Sequence, residues 1–79
     1  MKKTMMPLAF LSPGERARVK EIRGGITARK KLTDLGLIKD TEIKVLQNSR
    51  GPIIVSAGES RVALGFGMAQ KVLVEEVLN

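Results

Sequence analysis

Ala28-Arg29-Lys30-Lys31-Leu32-Thr33-Asp34-Leu35-Gly36-Leu37 decides the fold of this 79-residue chain, because this run alone joins helical spacing to a complete stop signal. Ala28, Leu32 and Leu35 fall at i, i+4 and i+7, on one face of a helix. With Leu35 as the C-cap, Gly36 takes the C′ position, where a left-handed backbone costs glycine little, and Leu37 at C″ can fold back onto Leu32. The spacing predicts a helix over about Ile26–Leu35. That is shorter than the ~12–15 residues an isolated helix needs, so it must dock its apolar face on the rest of the chain. Arg29, Lys30 and Lys31 lie toward its positive end and Asp34 in its last turn, opposed to the helix dipole.

The flanking sequence reads as short strands able to supply that surface. Met1 to Thr4 is a frayed polar terminus, Pro7 to Leu11 an extended apolar segment, and Ser12-Pro13-Gly14-Glu15 a turn. In Arg16 to Ile22, Ala17 and Val19 alternate with Arg16, Arg18 and Lys20, giving a half-buried strand with a basic outer face. Ile22 breaks the alternation and predicts a bulge or strand end there. Gly24-Gly25 leads into the helix, and Ile38 to Asp40 is read as extended. Thr41 to Asn48 places Ile43 and Val45 on one face. Ser49 to Pro52 is a turn, Ile53 to Ala57 a buried β-branched strand, and Gly58-Glu59-Ser60 a tight hairpin into Arg61–Leu64, with Val62 and Leu64 inward.

Gly65 to Gln70 cannot continue a flat strand and predicts a short helical turn near Phe66–Gln70. Lys71 to about Val77 is the last strand, with Val72 and Val74 inward. The fold class is therefore mainly β: a small barrel of about five strands with one short inserted helix, in a single domain spanning residues 1–79.

Composition removes whole classes of function. There are no cysteines and no histidines, so disulfides, thiolate metal sites and the commonest metal ligand and general base are all missing. The net charge of +6 predicts attraction to an anionic partner without naming it. The longest apolar run, Met5 to Leu11, holds Pro7 and falls far short of the ~20 residues a spanning helix requires. No cleavage site follows it, so the chain reads as cytoplasmic, with no membrane insertion. Gly65-x-Gly67 is a fragment of a dinucleotide fingerprint, but Gln70 stands at the third glycine and no long helix follows; a barrel corner is the better reading. Catalytic residues and cofactors are expected to be absent.

Arg29 to Leu37, the Gly51-Pro52 turn, and Val62-Ala63-Leu64-Gly65-Phe66-Gly67-Met68-Ala69 ahead of a Val-rich strand together resemble the FeoA family, the small cytoplasmic component of bacterial ferrous iron uptake. A similar domain occurs at the C-terminus of some iron-dependent repressors. The resemblance covers roughly Leu8 to Val77. It implies an SH3-like barrel and a non-enzymatic role in docking on and modulating the cytosolic GTPase-containing part of the FeoB permease. Where the family usually has Pro-Gly before its second long strand, this chain has Lys39-Asp40. The basic residue common near Phe66 is also missing.

Despite the family's association with iron, only carboxylates are on offer as ligands. Asp34, Asp40, Glu42, Glu75 and Glu76 read as solvated surface charge, so no stoichiometric metal site is expected. The basic sets Arg16/Arg18/Lys20 and Arg29/Lys30/Lys31 read equally as solvated faces and as anion-docking surfaces; the helix set is the better functional candidate. The expected partner-binding residues are Arg29, Lys30, Lys31, Ile38, Pro52, Phe66 and Met68. Weak self-association through an unpaired strand edge is a further expectation. The alternative function is a basic SH3-like nucleic-acid-binding or repressor-associated module, disfavoured because Phe10 and Phe66 are the only aromatics available to stack on bases.

Overall fold

Alternation of inward β-branched residues with outward polar ones produces six antiparallel strands in one sheet. A computed structural model describes residues 5–49 and 51–77. The strands are β1 (Met5–Pro7), β2 (Arg16–Ile22), β3 (Glu42–Gln47), β4 (Ile53–Ala57), β5 (Ser60–Leu64) and β6 (Val72–Glu76), in the order β1-β6-β2-β3-β4-β5. The helices are α1 (Ile26–Asp34) and α2 (Phe66–Ala69). The expected terminus Met1–Thr4 and the turn residue Arg50 lie outside the described residues.

The core is what the alternation predicts: Ala17 and Val19 from β2, Ile43 and Val45 from β3, Ile53 and Val55 from β4, Val62 and Leu64 from β5, Val72 and Val74 from β6. Leu32 and Leu37 close it from the helix side. The Leu37 N–H donates to the Leu32 carbonyl at 2.9 Å and the Gly36 N–H to the Thr33 carbonyl at 2.9 Å. Gly36 has φ 90°, so α1 ends in the expected Schellman motif. Ala28 and Leu32 are the helix residues buried beneath it, so α1 is held by docking rather than by propensity.

Two local readings need correction, at Pro7–Leu11 and at Ile38–Asp40. Pro7 to Leu11 is not extended throughout: β1 ends at Pro7 and a 3-10 turn follows over Leu8–Phe10, burying Leu8 and Ala9. The strand end expected at Ile22 is where β2 stops; the pairing with β6 also shifts earlier, between Val19 and Glu21, and Ile22 packs on the core. Ile38 to Asp40 is a turn rather than extended chain. The Thr41 N–H returns to the Ile38 carbonyl at 3.1 Å, and Asp40 has φ 72°. Positive φ at the third turn position is a type II pattern, which Pro-Gly would also satisfy; Asp tolerates it better than most residues. The expected small barrel forms without hydrogen bonding between its outermost strands, β1 and β5. The 3-10 turn and α2 pack together across that seam.

Candidate functional site

The cations on the outer face of β2 are each paired with an acid from neighbouring residues. Arg16, Arg18 and Lys20 project outward because Ala17 and Val19 between them are buried, and the antiparallel register sets Arg18 opposite Glu42 on β3. Glu42 bridges Arg16 at 3.6 Å and Arg18 at 3.6 Å, and Asp40 takes Lys20 at 3.3 Å. Such partly exposed pairs add little stability, but two carboxylates offset most of the charge of the three cations on this face. Asp40 and Glu42, two of the carboxylates available as ligands, are thereby committed to cations. Among the described residues, no group of three or more Asp or Glu is arranged to hold a metal ion.

The helix cations are placed differently. Arg29, Lys30 and Lys31 are exposed on α1, and none makes an ion pair among the described residues. The helix begins at Ile26, so these residues occupy its middle, with Lys31 already in the last turn. The opposition to the dipole expected from the sequence is therefore slight, because that field decays within the first and last turns. What distinguishes the cluster is that its three cations form no ion pair among the described residues, although Asp34 is nearby, and that apolar side chains flank it. Ile26, Thr27, Lys30, Lys31, Asp34 and Leu35 line a shallow depression along one flank of α1. Ile26 is 84% exposed, and Leu35 is half-buried against the core. On the opposite flank, Arg29 and Thr33 face Lys20, Ile22, Ile38 and Lys39 across a second depression, with Ile38 50% exposed.

The remaining expected residues form a separate group. Pro52 is exposed in the β3–β4 loop, and because Ile53 pairs with Leu64 it stands level with Gly65, just before α2. Phe66 is 51% exposed, whereas Met68 is half-buried and packs on the core, offering a partner only part of its side chain. Sequence reading missed two exposed side chains. Phe10, 59% exposed, lies on the 3-10 turn that packs against α2. Ile26 was legible: two residues before Ala28 it sits about 200° around the helix, away from the buried face.

One acidic contact departs from simple solvation. The Ser12 N–H donates to the Glu15 carboxylate at 2.6 Å, which with a second hydrogen bond from Glu76 holds the Glu15 carboxyl below the ordinary glutamate range. Glu76 is pushed upward because it shares that hydrogen bond and faces the Glu15 charge. The contact between the turn before β2 and the end of β6 thus moves the two carboxyls in opposite directions.

A six-stranded antiparallel sheet wrapped over a small core, its seam covered by a 3-10 turn and a one-turn helix, is an SH3-like barrel. The FeoA domain model matches residues 6–76, and the chain belongs to that family. It is 40% identical over 72 residues to a Methanocaldococcus jannaschii protein provisionally named Fe(2+) transport protein A, covering 91% of this chain and 88% of that one. A crystal structure of an iron uptake regulatory protein, FeoA, superposes with TM-score 0.87 at 42% identity, covering 94% of this chain and 99% of that one. Stenotrophomonas maltophilia FeoA, described as a prokaryotic SH3 domain protein complexed with zinc, gives 0.76 at 25% identity over 87% and 88% of the two chains. A manganese-dependent transcriptional repressor gives 0.88 at 21% identity, covering 98% of this chain and 44% of that one, which shows a shared fold alone. Among the described residues no helix is long and apolar enough to cross a membrane.

Proposed function

We propose that this chain is a non-enzymatic accessory module of ferrous iron uptake that docks, on the cytoplasmic side, on the GTPase-containing domain of a FeoB-type permease and modulates it. Membership of the FeoA family and the relatives' association with Fe(2+) transport support the system. The observation that carries the docking reading is the asymmetry of the pairing: the cations of β2 are paired with Glu42 and Asp40, while Arg29, Lys30 and Lys31 on α1 form no ion pair among the described residues. A partner's carboxylates would pair with them. Ile38 borders this surface, and Pro52, Phe66 and the exposed part of Met68 form a second apolar contact on the α2 corner. The chain has no histidine or cysteine with which to bind iron or act on a substrate, which favours action through a partner.

Retention of the permease's cytosolic domain on the immobilised chain tests this reading. Retention is expected at moderate salt and should fall with Lys30→Glu or Phe66→Ser. Binding to duplex DNA without retention of that domain would instead support the nucleic-acid alternative.

A further inference from the structure

The flank of α1 that carries Lys30 and Lys31 has the relief of a helix-packing surface. Ile26, Lys30 and Asp34 are spaced four apart, as are Thr27, Lys31 and Leu35, and together these six line the depression. Two adjacent rows with that spacing are ridges, and the groove between them accepts the corresponding ridge of a second helix crossing at about −50°. Among the described residues, only α1 and its C-cap Leu35 line this depression. Apolar Ile26 stands at one end of the groove and apolar Leu35, beside Asp34, at the other, with Lys30 and Lys31 between them. From Ile26 to Leu35 it runs about 13 Å, so each end lies roughly 7 Å from the lysine pair, close to the ~6 Å spacing of an i, i+4 ridge.

We infer that this groove receives an acidic amphipathic helix of the partner, one that presents apolar, acidic and apolar side chains at i, i+4 and i+8. The acid sits between Lys30 and Lys31, and the flanking apolar residues cover Ile26 and Leu35. Asp34, exposed at the C-terminal end of the same stripe, disfavours the other anionic surfaces. On a bilayer it would be pressed against anionic headgroups, and on nucleic acid against phosphate, whereas beside a helix it can meet a cation of the partner. The inference rests on the docking reading and specifies the element that does the docking.

The test titrates the isotopically labelled full chain with the permease's cytosolic domain. Amide shifts are expected along Ile26–Leu35. Affinity should fall at least tenfold in the Lys30→Glu/Lys31→Glu variant and severalfold in Ile26→Ser, but change little in Arg61→Glu on β5. All four substituted side chains are exposed, and retained amide dispersion separates lost binding from lost folding. The decisive arm is rescue: an acid-to-lysine substitution on an exposed helix of the domain should restore binding to the doubly reversed variant. Binding that survives the double reversal, or is rescued only from a loop or strand, overturns the helix inference and leaves the docking reading intact. Absence of any binding removes both. Shifts along Ile26–Leu35 produced by phosphatidylglycerol vesicles but not by the domain would assign the surface to a bilayer and overturn the inference.

Discussion

The Asn48 side-chain nitrogen donates to the Leu11 carbonyl at 2.6 Å and to the Ala9 carbonyl at 3.0 Å, bridging from the end of β3 to the 3-10 turn that covers the barrel seam. A single amide thus satisfies two backbone acceptors that no ladder reaches. Asn48→Ala strands both carbonyls and should cost about 1–3 kcal/mol. Asn48→Asp should be worse at neutral pH, since a carboxylate has no donor and would face two carbonyl oxygens, and it should recover in part on acidification. Denaturant melts at two pH values check both statements; an Asn48→Asp chain as stable as its parent at neutral pH would show that the bridge is not formed.

Asp40 holds φ 72° in the turn that replaces Pro-Gly and pairs with Lys20 at 3.3 Å. A left-handed backbone costs an ordinary residue about 1–2 kcal/mol, and Asp and Asn less. Asp40→Ala should therefore destabilise by about 1 kcal/mol, or about 4–8 °C in melting temperature for a domain of this size. Asp40→Asn keeps the tolerance for this conformation and loses only an exposed pair, so its cost should stay within about 0.5 kcal/mol. Equal melting temperatures for the two variants would mean that the pair, not the backbone, selects aspartate here.

The Glu15–Glu76 contact predicts a pH signature with a definite sign. Glu15 is lowered, so its contribution is present above the ordinary glutamate value and is lost as pH falls through its depressed folded value. Glu76 is raised, so its contribution is present below the ordinary value and is lost as pH rises through its elevated folded value. The pair is most favourable between those two folded values, with one proton shared. Glu76→Gln supplies the donor without a proton, so it should raise the melting temperature at neutral pH and lose that advantage in the mildly acidic window. A stabilisation that persists unchanged through the window would argue against proton sharing.

Elements whose patterning answers to the core were legible in the sequence. Ala28, Leu32, Gly36 and Leu37 fixed the helix and its ending, and the alternating pairs Ile43/Val45, Val62/Leu64 and Val72/Val74 fixed three inward faces. The errors came where tertiary pairing overrides local pattern. Leu8 and Ala9 are buried in a 3-10 turn at the seam where extended chain was expected, and Ile38 to Asp40 turns so that the Asp40 N–H reaches the Val19 carbonyl on β2. The surface was harder to read, because charge type is visible in a sequence while pairing is not. Arg16, Arg18 and Lys20 look as basic as Arg29, Lys30 and Lys31 until the register brings Glu42 and Asp40 across from the former.

That difference in pairing supports a last prediction, which separates the two functional readings. Glu42 holds Arg16 and Arg18 at 3.6 Å each. Glu42→Gln should change stability by less than about 1 kcal/mol, since both pairs are partly exposed. It should nevertheless free two adjacent arginines on a strand face, and phosphate contacts contribute about 0.9 each to the slope of log affinity against log salt on duplex DNA. The parent chain should bind duplex weakly with a shallow slope, and the variant should bind more tightly at low salt with a slope steeper by about 2. Binding to the permease's cytosolic domain should not change, because Glu42 lies outside the α1 groove. If the parent already binds duplex with a steep slope that Glu42→Gln leaves unaltered, the β2 face is open in solution and the nucleic-acid reading gains over the docking one.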